Sequence, residues 1–300
     1  MDSSTPSLRF APGMAELQQT LTDIGDKELF FIGGSPKSGT TWLQLLLDSH
    51  PDIGCSGETH FLDRFVPSVG KPIQDHGEYL TWLQTNIFAG LDCPSLDSPD
   101  LMNLLRVAMV FMLRHKNTPE VKLIGEKTPD NIRNLAVMNC LFPNSKFVHI
   151  VRDGRDAAMS AWFHNRRLSD EWDETIDLLA FIRASADVWT GDLARAQEFA
   201  EHAPSRYHRV RYEDLSTCPS STLHSVLEFL GAGTDEAVIE ACIERASFES
   251  VSGGRRAGQE DRSSFFRKGT TGDWRNHFSP EAEAAFNAIG GEWLDRLGYR

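Results

Sequence analysis

The segment Gly33-Gly34-Ser35-Pro36-Lys37-Ser38-Gly39-Thr40-Thr41-Trp42 places glycines, hydroxyls and one lysine between the apolar run Glu28 to Gly33 and the helix-like stretch Thr41 to Leu47. A glycine-rich turn between a strand and a helix aims successive backbone N–H groups, and the positive end of the helix dipole, at an anion. The chemistry to expect is therefore phosphate binding. Against the ATP-binding pattern GxxxxGK[ST], Gly34 and Gly39 have the right separation, but Thr40 stands where the lysine belongs and the lysine has moved to Lys37. A lysine inside the loop reaches a nearer group than a γ-phosphate, such as a 5′-phosphate or its bridging oxygen. An ordinary ATPase is disfavoured on this ground. A P-loop nucleotide kinase or ATPase, a non-catalytic nucleotide-binding module and a plain Gly/Ser turn stay open as alternatives.

Other stretches pair cations with hydroxyls or carboxylates: Arg152 and Ser160 in VHIVRDGRDAAMS, Arg267 and Lys268 in FFRKGTTGDW, and Glu58 and His60 in GETHFLD. Taken singly, each has a bland reading. Arg152 with Asp153 or Asp156 is a surface ion pair, Arg267-Lys268 a solvated loop, and Glu-x-His a polar surface.

Together, and in this order, the motifs resemble those of the sulfotransferases that use 3′-phosphoadenosine 5′-phosphosulfate (PAPS), and the chain is identified as a member of that family. Pro36 to Trp42 is similar, almost letter for letter, to the 5′-phosphosulfate loop. The resemblance implies that Lys37 and the N–H groups of Ser38, Gly39, Thr40 and Thr41 bind the phosphosulfate and that Trp42 stacks on adenine. It implies that Arg152 and Ser160 grip the 3′-phosphate, with Arg267, Lys268 and Gly269 completing that site beside Phe266. Tyr212, in Arg-Tyr-Glu-Asp-Leu, would lie against the nucleotide, and Ser247 and Phe248 against the adenine. PAPS is the implied co-substrate and PAP the product.

The family resemblance also frames the search for a base. Cytosolic sulfotransferases carry a Lys-Thr-His element whose histidine is the base, whereas this chain reads Glu126-Lys127-Thr128-Pro129. His50-Pro51-Asp52 and Gly57 to Asp63 instead resemble the heparan-sulfate glucosaminyl sulfotransferases. That likeness makes Glu58 the candidate base, His60 an orienting or acceptor-binding partner, and Lys127 a second active-site cation beside Lys37. Asp63 either assists or pairs with Arg64. No metal is required, because positioning and fixed cations suffice for in-line transfer. His149, in an apolar strand, reads as a core residue. Trp82, Phe88, Phe111 and Phe181 either line an acceptor pocket or pack in the core.

The elements that must hold these residues follow from apolar runs. Glu28 to Gly33, Val121 to Ile124, Lys146 to Val151 and Arg206 to Arg211 read as strands. Thr41 to Leu47, Tyr79 to Ala89, Leu101 to His115, Asn131 to Leu141, Asp153 to His164, Thr175 to Glu201 and Pro280 to Leu297 read as helices. Alternation of the two predicts an α/β fold, a P-loop-like and mainly parallel sheet flanked by helices, with ligands at the carboxyl ends of the strands. We expect residues 1–27 as an N-terminal extension or helix and 28–300 as a single sulfotransferase domain, with 250–264 a mobile loop.

A net charge of −13 argues against a nucleic-acid partner and leaves a small-molecule or glycan acceptor; oligomeric state is unreadable. Five scattered cysteines without ligand spacing suit a reducing compartment. Neither a signal peptide nor a membrane span is expected, and the location expected is the cytoplasm.

Overall fold

The computed structural model describes residues 13–91, 94–169 and 176–299. Five strands, β1 (Glu28–Gly33), β2 (Ile53–Ser56), β3 (Leu123–Lys127), β4 (Lys146–Val151) and β5 (Tyr207–Arg211), lie in the order β2-β3-β1-β4-β5. Every pairing is parallel. The register sets Ile32 beside Lys127 and Val148, and Val151 beside Arg211. The loops that follow β1, β3, β4 and β5 therefore open on one carboxyl edge, where a crevice forms between β1 and β4, whose onward connections run to opposite sides, to β2 and to β5.

Helices cover both faces, so the central strands are buried from Phe30 and from Phe147 onward and read as largely apolar runs. On one face Phe30, Ile32, Val148 and Ile150 pack against Leu43, Leu46 and Leu47 of α2 (Thr40–Asp48) and against Val226, Leu227 and Leu230. On the other, Phe31, Ile124 and Phe147 meet Met109 and Leu113, Met138 and Leu141, and Phe199. Each such side chain contributes about 1.5–3 kcal/mol by leaving water.

β1 and β4 match their expected spans, and the mainly parallel sheet is present. The third strand slides from Val121–Ile124 to Leu123–Lys127, which puts Lys127 at its end. β2, unsuspected from the sequence, reads Ile-Gly-Cys-Ser and carries no apolar run; a Cβ on Gly54 would sit 2.3 Å from the Lys116 carbonyl oxygen. The expected helix Asn131 to Leu141 splits into a 3-10 turn, Pro129–Arg133, and a helix, Leu135–Leu141. The expected Tyr79 helix begins earlier, at Val66, and runs to Asn86 with Pro72 inside it. Ser98–Leu113 starts at a capping box between Asp97 and Asp100. The helix expected from Thr175 runs Leu178–His202; Thr175, like Cys93, lies outside the described residues.

A helix Met14–Gly25 precedes β1. In the 250–264 segment, Arg255 donates to the carbonyls of Gln259 and Arg267 and to Ser264 Oγ. No helix among the described residues is long and apolar enough to cross a membrane.

Candidate active site

The β1–α2 loop turns through two left-handed residues, Lys37 at φ 69° and Gly39 at φ 98°. Glycine is needed at the second, since a Cβ there would lie 2.5 Å from the Tyr212 ring. The turn presents the first N–H groups of α2 to a cavity of about 570 Å³ at the carboxyl edge of the sheet.

That cavity collects residues from distant segments. Pro36, Lys37, Gly39, Thr40, Thr41 and Trp42 form its floor, and Arg152, Ser160 and Tyr212 one wall. Ser247, Phe248 and the residues from Phe266 to Gly269 complete the lining, and Glu58 stands near Thr41, to which Lys127 links it. Three of the sequence-predicted residues do not reach the lining. Ser38 is fully buried behind the loop with its hydroxyl unpartnered, while Lys127 and His60 stand behind Glu58. Trp82, Phe88, Phe111 and Phe181 are not part of this lining either.

Arg152 leaves the end of β4 and donates to the carbonyls of Lys37, at 3.3 Å, and Thr270, at 2.9 Å, with its guanidinium 4.4 Å from the Tyr212 ring. Its Nε is buried without a partner. Trp42 donates from its indole to the Ala246 carbonyl and meets Tyr212 edge-on, so the aromatic pair is held in place. Ser160 lies on the helix α6 (Gly154–Leu168; between it and α2 the helices Val66–Asn86, Ser98–Leu113 and Leu135–Leu141 are α3 to α5). The Asp153 side chain caps α6 by accepting the Arg155 N–H. Beside α6, where Asp156 accepts the Gly272 and Trp274 N–H groups, the buried Asp273 accepts from Arg267 at 2.6 Å and Lys268 at 2.5 Å, which holds its carboxyl well below the usual range despite burial.

At the other end, the Lys127 ammonium is 2.6 Å from Glu58 Oε1 and 3.1 Å from Thr41 Oγ1. Glu58 Oε2 lies 3.3 Å from His60 Nε2, and His60 Nδ1 lies 3.0 Å from Asp63. The bond to Asp63 raises the His60 pKa above its ordinary value. Asp63 thus pairs with His60 more closely than with Arg64, 3.8 Å away. Lys37 rests on the Phe265 ring, 4.5 Å from its centre, and burial first, then the nearby Arg167, lowers its pKa to about 8.

Several of these participants escaped the sequence reading. Glu126, Phe265 and Asp273 stood in quoted motifs without a role. His164 and Arg167 follow Ser160 at helical spacing on α6, a signal that could have found them. His149 is fully buried and hydrogen-bonded to the Tyr207 hydroxyl, and burial pushes its pKa down to about 3, so it is a core residue. Among the described residues no cluster of three His, Cys, Asp or Glu side chains could hold a metal ion.

Comparison with known proteins bears on the same residues. The sequence model of the sulfotransferase family matches residues 30–236. Protein-tyrosine sulfotransferase 2 of Gallus gallus is 27% identical over 216 residues, covering 70% of this chain and 53% of that protein. Sulfotransferase 1A1 of Canis lupus familiaris is 23% identical over 309 aligned positions, 96% of this chain and 92% of that one. The chain spans between 53% and 60% of the length of the first tyrosine sulfotransferases it matches. A mouse sulfotransferase crystallised with PAP shares the fold at a TM-score of 0.56 and 19% identity, over 92% of this chain and 88% of the other.

Proposed function

The chain belongs to the sulfotransferase family, and on that basis we propose that it moves the sulfuryl group of PAPS onto a hydroxyl or amine of a small-molecule or glycan acceptor, releasing PAP. The observation that carries this reading is the Lys127 ammonium, which ties the Glu58 carboxylate to Thr41 of the phosphate loop. One cation thereby joins a candidate base to a candidate anion cradle.

The residues fit the donor. Arg152 lines the cavity with its buried Nε unpartnered, a donor that an anion there would satisfy. The volume of about 570 Å³ suits a nucleotide. When bound, PAPS supplies an activated sulfuryl group on a phosphate leaving group. The loop N–H groups and Lys37 hold positive charge against the bridging oxygen, where charge develops. Arg152, Ser160, Arg267 and Lys268 clasp the 3′-phosphate, with Gly269 leaving room beside Phe248, and Trp42, Tyr212 and Ser247 border the base and ribose.

Glu58 takes the acceptor proton. Each of its carboxylate oxygens already accepts one contact, and each retains a lone pair for an acceptor hydroxyl. Its side chain is 38% exposed, so an acceptor can approach it. His60, held by Asp63, orients the carboxylate. A kinase is not favoured, because β3 ends in Lys127 where magnesium would need a carboxylate, and Thr40 stands in the place of the kinase lysine. We place the enzyme in the cytoplasm; the support is that Cys55, Cys140, Cys218 and Cys242 are unpaired.

The test is a screen with ³⁵S-labelled PAPS against phenols, alcohols, amines, sugars and tyrosyl peptides, beside calorimetric titration with PAP. Label transferred to an acceptor is the expected result. PAP binding with no transfer to any class would leave a binding module, and absence of PAP binding would overturn the reading altogether.

A further inference from the structure

One histidine in the cavity is unused by the chemistry above. His164 lines the cavity one helical turn beyond Ser160 on α6. Its Nδ1 lies 3.3 Å from Nη2 of Arg167. A guanidinium only donates and stays charged at every working pH, so Nδ1 must be the acceptor. The ring is then neutral, with its single proton on Nε2. A neutral Nε2–H imidazole has no site left on Nδ1 for a proton and none free on Nε2, so His164 cannot serve as the base that the Lys-Thr-His element would otherwise supply. What it can offer the cavity is a hydrogen-bond donor.

The surroundings say which group receives it. The ring lies edge-on to Phe265 with centroids 5.9 Å apart, and the same Phe265 carries the Lys37 ammonium on its face at 4.5 Å. Burial comes first, followed by the charges of Lys37 and Arg167, in holding the His164 pKa down to about 4, and Glu58 acts on it in the opposite sense. His164 thus feels both the cation on the leaving side and the carboxylate on the acceptor side.

We propose that His164 donates from Nε2 to an oxygen of the sulfuryl group during its transfer, and that Arg167 is the positioning residue that fixes this tautomer. A neutral imidazole used as an electrophile is an established way of stabilising an oxyanion without giving up a proton. No proton moves from His164 in this role. The inference rests on the sulfotransferase reading, since only that reading puts a sulfuryl group beside Lys37.

The experiment is long-range ¹H–¹⁵N spectroscopy of the full chain labelled with ¹⁵N-histidine, with the His164 signals assigned by their loss in His164→Gln. The free protein should show His164 as the Nε2–H tautomer from pH 6 to 8. Addition of PAPS should shift Nε2 and its proton, while PAP, which lacks the sulfuryl group, should leave them nearly unmoved. In parallel, His164→Phe should lower the preference for PAPS over PAP about tenfold, whereas His164→Gln, which keeps an N–H donor, should retain most of it. Arg167→Met should let the Nδ1–H tautomer appear. An imidazolium or an Nδ1–H tautomer in the free protein, or equal shifts with PAP and PAPS, would overturn the inference and leave the sulfotransferase reading standing. If neither nucleotide binds, that reading fails and this inference with it.

Discussion

Thr59 is bound twice to the carboxylate of Glu126: its backbone N–H donates at 3.0 Å and its hydroxyl at 2.9 Å, both to Oε1. The Thr128 hydroxyl donates to the same oxygen, and the Asn131 amide donates to Oε2 at 2.7 Å. Glu58 directly precedes Thr59, and Lys127 directly follows Glu126. A clamp on the buried Glu126 between their neighbours therefore sets where the Glu58–Lys127 ion pair can form, while the His60 N–H adds a bond to Thr128 Oγ1 at 3.3 Å.

Glu126→Ala should cost about 3–5 kcal/mol, because it strands several buried donors at once. It should also lower kcat by loosening the segment that carries Glu58, with little change in PAP affinity. Urea denaturation and calorimetry with PAP check both parts. A variant with wild-type stability would show that the donors find other acceptors.

Glu58→Gln keeps the shape of the side chain and removes the proton acceptor. Turnover should fall roughly 10²- to 10⁴-fold, the usual contribution of a positioned acid or base. The affinity for PAP should stay within about twofold, since Glu58 lines the part of the cavity that we assign to the acceptor. Full turnover would remove Glu58 from the mechanism.

On the proposed assignment, Arg152→Ala removes a charge-assisted phosphate contact worth about 1.5–3 kcal/mol, so PAP affinity should drop roughly 10- to 150-fold. The same change removes its donors to the Lys37 and Thr270 carbonyls, which brace the two sides of the cavity. Arg152→Lys should therefore recover only part of the loss, because an ammonium lacks the fork that reaches both carbonyls. Unaltered affinity in the alanine variant would displace the 3′-phosphate from this corner.

Donor affinity should also depend on pH through Lys37. Its pKa is depressed to about 8, by burial and then by Arg167, so the ammonium that we assign to the 5′-phosphate is lost as pH rises through that value. PAP binding should be flat below about pH 8 and fall above it by up to about tenfold per pH unit, the limit for one proton. Arg167→Met removes the second cause of the depression, so the break should move to higher pH. Calorimetry between pH 7 and 9.5 reads the break directly, and its absence would mean that the loop amides alone hold the phosphate.

Much of the donor side was legible before any fold was known. A parallel strand buried on both faces is written as an unbroken apolar run, which is why Glu28–Gly33 and Lys146–Val151 stood out. The turn of residues 33–42 was legible because glycines, a lysine and hydroxyls between a strand and a helix make a recognisable local pattern, whereas the approach of the Tyr212 ring to Gly39 was not. Ile53–Ser56 escaped because a strand of four residues with glycine and serine in it has no pattern to show. The onset of Val66–Asn86 escaped because its prolines argue against a helix that is nevertheless built.

Residue type and spacing along the chain therefore determined the strand–loop–helix turn, the order of the motifs that we assign to the donor and the α/β class. They left unstated which side chains meet. That Lys127 reaches both Glu58 and Thr41, that Glu126 clamps Thr59, and that Phe265 brings the ring of His164 close to Lys37 were decided by tertiary structure. The reason is that a contact between segments depends on the parallel register of β1, β3 and β4 and on the pitch of α6 across their ends, and no local pattern encodes either.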